Sequence, residues 1–443
     1  MLKFLSKQFF YPLFLYKEGN SKYLKLLKEV EGSYALPPQE LQNLRRVKLK
    51  KIFLHAYKES SFYKDLFDRN SFVPEMAEFD GLMKLPVLTK DIISSNRDNI
   101  ICRNSLSPLV RDSTGGSTAE PFIFYRDQEC LYRKNAYQLY FNKLLGWDIG
   151  TRYALIWGAS KDLYKHYGIK QRIKDKFIFR KIQLNAIKMS KEALEDFVIR
   201  LQSFNPEIIY GYPTAIDILS KYMKENNQHI SGVRSVICTA EPLRDELREN
   251  IGGFFQCDVY DRYTSREAGI LAQECSVHKG LHVNSLSVHL EIRNNKILVT
   301  DLDNFGMPLI NYEIGDMTKQ PVFNKSSCSC GLNTERMELG ASRETDFFVK
   351  RDGTIIFGAG IPIMKLTGEK GVKNIQIVQK DYEKFEVNLV KTKDFSNENL
   401  SRIESVLKGY IGNDIEINFN YLEKIDRISS SGKYRYVISE VTN

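Results

Sequence analysis

Short apolar segments alternate with segments of helical period between residues 152 and 265. The apolar segments have the composition of strands and read RYALIWG (152–158), PEIIYGYP (206–213), VRSVICTAEPL (233–243) and CDVYDRYTS (257–265). The helical patterns between them are SKEALEDFVIRLQSF (190–204), which Ser190 is placed to cap, TAIDILSKYMKEN (214–226) and RDELRENIGGFF (244–255). This alternation predicts a sheet that is at least partly parallel and carries helices on its faces. Ligands of such sheets bind beyond the carboxyl ends of the strands.

The segments on either side complete an α/β organisation. Residues 38–70 and 128–145 have helical spacing, with a loop and the short strand FIFY between them. Short strands and turns follow residue 281, and a strand, strand, helix, strand pattern follows residue 345. We therefore predict a large N-terminal domain over residues 1–345, built of mixed sheets flanked by helices with a β-rich subdomain. We predict a small α+β C-terminal lid over residues 346–443.

Composition and charge exclude several classes of protein. The 443 residues are 42% hydrophobic and 27% charged, which is typical of a globular protein. The net charge of +9 is scattered along the chain, without a nucleic-acid-binding motif, so we expect no nucleic-acid partner. Seven cysteines without a secretion signal argue against a disulfide framework and favour a cytoplasmic protein. Composition does not indicate an oligomeric state.

The N-terminal segment MLKFLSKQFFYPLFLYK is basic and aromatic. Its apolar stretch is interrupted by Pro12 and no small-residue cleavage site follows, so it does not read as a signal peptide. Packing onto its own domain is the favoured interpretation. An amphipathic anchor at a membrane surface is the alternative.

The stretch STGGSTAEPF (113–122) is rich in small and hydroxylated residues. A glycine pair lets backbone amides turn inward, and hydroxyl groups can add donors around a phosphate. The residues concerned are Ser113, Thr114, Gly115, Gly116, Ser117 and Thr118. The Gly-Lys-Ser/Thr ending of the common P-loop is missing, so composition alone leaves a phosphate loop and a plain solvated loop as alternatives.

Later motifs follow this stretch in a specific order. They are GYP (211–213), TAEPL (239–243), YDRYTSREAG (260–269), NYEIGD (311–316), SRETD (342–346) and SSSGKYR (429–435). Their order and spacing resemble the adenylate-forming enzyme superfamily, in its phenylacetate–coenzyme A ligase branch and that branch's capsular-polysaccharide-biosynthesis relatives. The resemblance runs from about residue 40 to the C-terminus.

The resemblance implies a nucleotide site. The 113–121 loop would hold the β- and γ-phosphates of ATP, and Ala240, Glu241 and Pro242 would line the adenine pocket. Tyr263 and Ser265 would stack on adenine or contact the α-phosphate. Asp261 would contribute to nucleotide binding, Asp316 would accept hydrogen bonds from the ribose hydroxyls, and Arg343 would support ribose or phosphate.

The resemblance also implies catalytic residues. Glu267 would bind Mg²⁺, Thr264 would act near the α-phosphate, and Lys433 would bridge the substrate carboxylate and the α-phosphate. Asp346 would be the hinge about which the lid rotates. Taken singly, Asp316 could be a turn residue, Glu267 a helix-start carboxylate, and Arg343 and Lys433 solvated charges. The motif order favours the functional roles.

Two cysteine-containing segments suggest a metal site. They read CSVHKGLH (275–282) and CSCG (328–331). Thiolates and an imidazole are the ligands of structural zinc, so we predict Zn²⁺ on Cys275, His282, Cys328 and Cys330. His278 is the alternative histidine, and unmetallated thiols are the alternative for the whole set.

The acid and the acyl acceptor are the least constrained features. The resemblance places the acid near Trp157, Gly158, Tyr210, Tyr212 and Pro213, whose rings could equally be core. The implied function is ATP-dependent activation of a small carboxylic acid as an acyl-AMP with release of pyrophosphate. Coenzyme A is the default acceptor, and an amine or hydroxyl group on a sugar or amino acid is the rival. A catalytically silent nucleotide-binding protein is the alternative of another class.

Overall fold

The computed structural model describes most of the chain. The described residues are 2–104, 107–113, 122–158, 168–241, 243–294, 296–318, 328–338, 347–357, 361, 366, 371–425 and 437–441. Their α-helices are α1 (Leu2–Leu5), α2 (Tyr11–Lys17), α3 (Lys22–Tyr34), α4 (Pro38–Glu59), α5 (Ser61–Arg69), α6 (Lys90–Ser95), α7 (Arg97–Ile100), α8 (Gln128–Leu144), α9 (Ile169–Ile173), α10 (Lys191–Phe204), α11 (Pro213–Glu225), α12 (Asp245–Phe255) and α13 (Asn397–Ile411). Their π-helical turns are Ser6–Phe10 and Lys174–Phe179, and their 3-10 turns are Pro74–Met76 and Phe79–Lys84.

The strands form five sheets among these residues. The strands are β1 (Leu109–Ser113), β2 (Ile123–Asp127), β3 (Tyr153–Trp157), β4 (Lys181–Asn185), β5 (Lys188–Met189), β6 (Ile208–Gly211), β7 (Ser235–Thr239), β8 (Asp258–Ser265), β9 (Gly269–Glu274), β10 (Leu281–Val283), β11 (Val288–Arg293), β12 (Lys296–Asp301), β13 (Tyr312–Met317), β14 (Arg336–Met337), β15 (Phe347–Val349), β16 (Ile355–Phe357), β17 (Val372–Asp381), β18 (Lys384–Lys391), β19 (Glu416–Tyr421) and β20 (Val437–Ser439).

The largest sheet has eight strands in the order β14-β10-β9-β8-β7-β6-β3-β4. The half from β4 to β8 is parallel, and β9, β10 and β14 continue it antiparallel. Side chains of α10, α11 and α12 share a buried core with β3, β6, β7 and β8. The predicted α/β fold with a partly parallel sheet is confirmed.

Local signals explain where these helices begin and end. The Ser190 hydroxyl accepts a hydrogen bond from the Ala193 amide at 3.3 Å, as the sequence predicted, and Asn205 ends α10 with a φ of 48°. Pro213 occupies the first turn of α11, where its missing N–H costs nothing. The helical pattern predicted over residues 38–70 is two helices, because Ser60 ends α4 and caps α5.

Two smaller sheets flank the large one. β1 and β2 form an antiparallel hairpin in which Ser113 lies opposite Ile123. The two ends of the 113–122 stretch are therefore neighbours. β11, β12 and β13 form the predicted β-rich subdomain as a three-stranded antiparallel sheet.

The C-terminal part contains a four-stranded sheet in the order β19-β18-β17-β20, with α13 packed against it. β15 and β16 instead extend to β5, since Ile355 lies opposite Met189. Gln379 on β17 exchanges two hydrogen bonds with the Val349 backbone, at 2.9 and 2.5 Å. The division at residues 345/346 stays a prediction.

No helix in the described part of the chain is both long and apolar enough to cross a lipid bilayer.

Candidate functional site

Two buried tyrosine–carboxylate pairs connect the carboxyl end of β8 and the turn after it to β13. The Tyr263 hydroxyl donates to Asp316 Oδ2 at 2.8 Å, and the Tyr312 hydroxyl donates to Glu267 Oε1 at 2.9 Å. Burial and the neighbouring Glu267 raise the pKa of Tyr312, so its phenol remains a donor. The fold thus gathers three residues of the predicted nucleotide and magnesium site and fixes two carboxylates by hydrogen bonds.

The carboxyl end of β7 lies next to these pairs. The Thr239 hydroxyl lies 3.0 Å from the Thr264 hydroxyl and 2.9 Å from the Arg262 carbonyl oxygen. Ala240 follows with a φ of 68°, a left-handed conformation that costs a non-glycine residue about 1 kcal/mol or more. Such local strain is typical of binding sites, and it lies where the resemblance places the adenine pocket.

Glu241 and Ser265 have local structural partners. Glu241 Oε2 accepts a hydrogen bond at 3.3 Å from the Thr214 amide, in the first turn of α11. The Ser265 hydroxyl accepts one at 3.0 Å from the Ala268 amide. Glu241 therefore connects the end of β7 to the GYP segment, and Ser265 shapes the turn that carries Glu267.

Side chains at the base of the predicted phosphate loop contact the turn that carries Glu267. Arg126 on β2 donates to Asp112 Oδ2 at 2.5 Å and to the Arg266 carbonyl oxygen at 3.2 Å. Arg266 Nη1 lies 4.0 Å from Asp112 Oδ1. Phe122 is buried and stacks on Tyr312, with ring centroids 5.5 Å apart. Phe122, at one end of the loop, thus lies beside the Tyr312–Glu267 pair, and Ser113, at the other end, is paired with the adjacent Ile123.

Several predicted site residues lie outside the described residues, and their roles stay predictions. They are Thr114, Gly115, Gly116, Ser117, Thr118, Pro242, Arg343, Asp346 and Lys433.

Asp261 is buried next to a different set of groups. Its backbone amide donates to Glu274 Oε2 at 2.8 Å, and Arg248 binds both oxygens of Glu274 at 2.9 and 3.0 Å. Burial, followed by the charge of Glu274, raises the pKa of Asp261 to about 7. These contacts lie toward β9, so the predicted role of Asp261 in nucleotide binding rests on the resemblance.

An aromatic cluster lies at the carboxyl ends of β3 and β6. The Trp157 ring lies 5.8 Å from Tyr210 and 4.8 Å from Tyr212, measured between centroids. A Cβ at Gly158 would lie 3.1 Å from the Tyr212 ring, so the missing side chain makes room for that ring. Pro213 is buried at the start of α11. The five predicted pocket residues are therefore neighbours.

Arg262 is a residue of this region that sequence reasoning missed. It is buried, its Nε donates to Gln273 Oε1 at 2.7 Å, and its Cζ lies 5.4 Å from the Tyr210 ring centroid. Its buried terminal nitrogens lie next to the Tyr210 side chain, and neither forms a hydrogen bond of regular geometry within the described part of the chain. A buried, incompletely paired guanidinium under a predicted pocket residue is a candidate for contact with a polar substrate group. The signal was a charged residue inside the strand CDVYDRYTS.

The two cysteine segments converge on one point. The ligand atoms of Cys275, His282, Cys328 and Cys330 all lie within 4.8 Å of one another. The Cys275 and Cys328 sulfurs are 3.7 Å apart, and Cys330 Sγ lies 3.4 Å from His282 Nε2. Zn–S bonds of about 2.3 Å in a tetrahedron put the sulfurs about 3.8 Å apart. The four side chains therefore fit one tetrahedral zinc ion.

The histidine of this cluster is oriented for metal binding. His282 Nδ1 lies 2.9 Å from the Thr334 hydroxyl, an arrangement that leaves Nε2 as the ligand atom. Burial, together with Arg336, lowers the pKa of His282 to about 4, so the imidazole is neutral. His278 lies elsewhere: it stacks on Tyr260, and its Nδ1 is 3.4 Å from Glu274 Oε2. Of the two predicted histidines, the geometry selects His282.

Comparisons with known proteins agree with this organisation. A family model described as the CapK C-terminal domain matches residues 348–440. Protein CapK of Staphylococcus aureus is 27% identical over 413 residues, covering 91% of this chain and 89% of that protein. Phenylacetate-coenzyme A ligase of Thermus thermophilus is 21% identical over 372 residues, covering 77% of this chain and 79% of the relative.

Solved structures share the fold. A 2-hydroxyisobutyryl-CoA ligase, crystallised with 2-HIB-AMP and CoA in the thioesterification state, has a TM-score of 0.60 at 15% identity, with 92% of both chains covered. The same ligase in the postadenylation state has a TM-score of 0.55. Both alignments cover the large sheet and the C-terminal part together, because more than nine tenths of this chain is matched.

Proposed function

We propose that this chain, a member of the adenylate-forming superfamily and an AMP-forming ligase, activates a small carboxylic acid with ATP. A carboxylate oxygen would attack the α-phosphorus, the bond from that phosphorus to the bridging oxygen of pyrophosphate would break, and acyl-AMP would form. The observation that carries this proposal is the juxtaposition of the Tyr263–Asp316 and Tyr312–Glu267 pairs with the ends of the 113–122 loop.

The residue types suit the charges involved. Asp316 would accept hydrogen bonds from the ribose, and the Tyr263 hydroxyl would keep its carboxylate in place. Glu267, a carboxylate held by Tyr312, would bind Mg²⁺, a hard cation that prefers oxygen ligands and neutralises phosphate charge. Lys433 would neutralise charge between the carboxylate and the α-phosphate. Removal of one such donor typically costs about 10²–10³ in rate.

The second half-reaction would transfer the acyl group to an acceptor. We propose coenzyme A, since a phenylacetate-coenzyme A ligase is among the relatives and a CoA ligase shares the fold. An amine or hydroxyl acceptor on a sugar or amino acid is the second candidate, because the motif order also resembles the capsular-polysaccharide-biosynthesis relatives of this branch. The aromatic cluster around Trp157 and Tyr210 would flank the acid, with Arg262 beneath Tyr210.

We also propose that Cys275, His282, Cys328 and Cys330 bind a structural Zn²⁺. All four ligands come from the protein, so the ion would have no open position for substrate. Its role would be to join the turn after β9 to the segment before β14.

The proposed function is tested by acid-dependent trapping of the intermediate. Purified protein, ATP and Mg²⁺ are offered aryl, short aliphatic, hydroxy, amino and uronic acids, with hydroxylamine to capture acyl-AMP as a hydroxamate. Hydroxamate that forms with one acid, in wild type and not in Glu267→Gln, supports the proposal and names the acid. Adding coenzyme A then tests the acceptor. Nucleotide binding without hydroxamate for any acid would favour the catalytically silent alternative.

A further inference from the structure

Residues 2–17 form one continuous helical run that passes through Pro12. A π-helical turn, Ser6–Phe10, separates α1 from α2, and Pro12 lies in the first turn of α2. A proline ring and its missing N–H disturb the regular hydrogen bonding of an α-helix. The π-helical turn adds a residue to the backbone just before Pro12, where this disturbance would occur. The segment is therefore a helix from end to end, despite the proline.

One face of this run packs onto its own domain. Phe10 contacts Phe177 and Phe14 contacts Phe179, with ring centroids 6.2 and 5.3 Å apart. The Ser6 hydroxyl donates to the Ile178 carbonyl oxygen at 2.8 Å. These contacts agree with the interpretation, favoured from the sequence, that the N-terminal segment packs onto its own domain.

The other face is apolar and exposed. Phe9, Leu13 and Tyr16 follow a spacing of 4 and 3 residues, which places them on one side of the helix, and Leu2 is exposed at its start. Phe4 contacts Phe9 at 6.4 Å between centroids. Exposure of these five residues ranges from 43% to 74%, and Ile169 and Ile173 on α9, which leads into the packed turn Lys174–Phe179, are also exposed. We call these seven residues the apolar face.

The same two segments concentrate positive charge. Residues 2–17 and 169–180 contain eight Lys or Arg residues and one acid, Asp175, a net of +7 in a chain whose total is +9. Asp175 is buried and faces Lys181 at 3.7 Å. Glu207, Asp148 and Glu18 on neighbouring elements pair with Lys3, Lys7 and Lys174. Cations remain in clear excess after these pairs are counted.

A cationic cleft opens beside the first turn of the run. It has a volume of about 460 Å³, and its charged lining is Lys3, Arg152, Arg180, Arg234 and the single carboxylate Glu207. Arg152, Glu207 and Arg234 immediately precede β3, β6 and β7. Because these strands are parallel, the cleft lies at their amino ends, and the candidate active site lies at their carboxyl ends.

We propose that the apolar face and its cationic surroundings dock this protein on an anionic lipid bilayer. Exposed aromatic and aliphatic side chains insert at the level of the acyl-chain boundary, and flanking lysines and arginines attract phosphate headgroups. The arginine-lined cleft adds a place for one headgroup. Docking by the amino edge of the sheet leaves the candidate active site turned away from the bilayer and open to its substrates.

The apolar contribution is tested with the full chain by sedimentation with vesicles. Wild type should bind vesicles of phosphatidylcholine with phosphatidylglycerol and bind phosphatidylcholine alone far more weakly. The triple variant Phe9→Ser/Leu13→Ser/Tyr16→Ser should lose about tenfold or more in partitioning. The matched control Met76→Ser/Met83→Ser/Ile199→Ser removes three other side chains that are 63% to 77% exposed, and it should bind like wild type.

The charge contribution is tested by reversal. Lys170→Glu/Arg172→Glu/Lys176→Glu should lower binding to anionic vesicles by about a hundredfold or more, since each basic residue at such a surface contributes about 1 kcal/mol. Lys64→Glu/Lys84→Glu/Lys224→Glu makes the same change in net charge on exposed residues elsewhere and should lower it far less. All four variants should keep the thermal transition of wild type. If a triple fails to fold, Tyr16→Ser alone should still weaken binding.

Three results would overturn the proposal. The first is that wild type does not bind vesicles that contain phosphatidylglycerol. The second is that the control triple variants lose as much binding as the test triple variants. The third is that the protein binds soluble phosphate polymers but no vesicle. None of these outcomes depends on adenylation, so this proposal and the proposed function fail separately.

Discussion

The Cys/His cluster and the tyrosine–carboxylate pairs are both buried polar sites of this fold, but they are built differently. The cluster is closed: four ligand atoms face one point, and each can be satisfied by a single ion. The pairs are the proposed open site: Asp316 and Glu267 are each held by a tyrosine hydroxyl, and Phe122, at one end of the STGGSTAEPF stretch, stacks on Tyr312. Closed sites stabilise a fold, whereas open sites bind a ligand that arrives and leaves. Substitutions should therefore affect stability at the first and turnover at the second.

The largest effect is expected at the open site. Glu267→Gln keeps the size of the side chain and its contact with Tyr312 but removes the charge proposed to bind Mg²⁺. The rate of acyl-AMP formation should fall by about 10²–10³, as for the loss of one group that stabilises a transition state, while the melting temperature changes little. Glu291→Gln, whose carboxylate pairs with Arg293 at 2.5 Å away from the site, is the control. An equal loss of rate in Glu267→Gln and Glu291→Gln would contradict the proposed catalytic role of the open site.

The closed site should respond in the opposite way. Cys330→Ser should abolish stoichiometric zinc, measured by elemental analysis, and lower the free energy of unfolding by about 3 kcal/mol or more. The rate per folded molecule should stay near that of wild type. Cys257→Ser, at a half-buried free thiol outside the cluster, should keep the metal. Zinc-free wild type with unchanged stability would contradict the proposed metal site.

Asp261 lies between the two regions, two residues from Tyr263 and beside Glu274. Its pKa is raised to about 7, above its ordinary value of 3.8. As pH rises from about 4 to 7, the unfolded chain releases this proton before the folded chain does, so stability is lost across that window. Asp261→Asn does not titrate and should gain stability relative to wild type by about 2 kcal/mol or more at pH 8 compared with pH 4. Urea unfolding at the two pH values measures this difference, and a pH-independent difference would contradict the assignment.

The smallest effect is expected at the support of Asp316. Tyr263→Phe removes one hydrogen bond of 2.8 Å and should raise the KM for ATP about tenfold, in line with roughly 1.5 kcal/mol for a bond to a charged group. Tyr260→Phe removes the 3.2 Å bond to Asp258 and serves as the control on the same strand. An unchanged KM for ATP in Tyr263→Phe would contradict the proposal that Asp316 binds the ribose.

Patterns within short segments were readable from the sequence. The alternation of strand and helix patterns between residues 152 and 265 predicted the parallel half of the sheet, and Ser190 predicted the start of a helix. Both were predictable because hydrophobic periodicity and helix capping are local properties of the sequence. The convergence of the two cysteine segments was predictable because thiols and an imidazole are chemically selective. The order of motifs resembles the adenylate-forming superfamily, and that resemblance predicted Tyr263, Glu267 and Asp316, which the fold brings together.

Side-chain contacts between segments that are distant in the sequence could not be predicted from it. The Tyr312–Glu267 bond and the Asp112–Arg126–Arg266 contacts depend on the packing of separate sheets, and no short segment encodes that packing. Arg262 was missed because alternation in a strand does not reveal which charged residue will be buried. The N-terminal run required the π-helical turn to show that Pro12 is compatible with a helix whose two faces differ.

The exchange of labelled pyrophosphate into ATP tests acyl-adenylate formation most directly, because it requires reversible formation of acyl-AMP and no acceptor. We predict exchange that depends on both Mg²⁺ and one class of carboxylic acid, that is lost in Glu267→Gln and Lys433→Ala, and that persists in folded Cys330→Ser. Acid-independent exchange, or no exchange with any acid by a protein that binds ATP, would contradict the account.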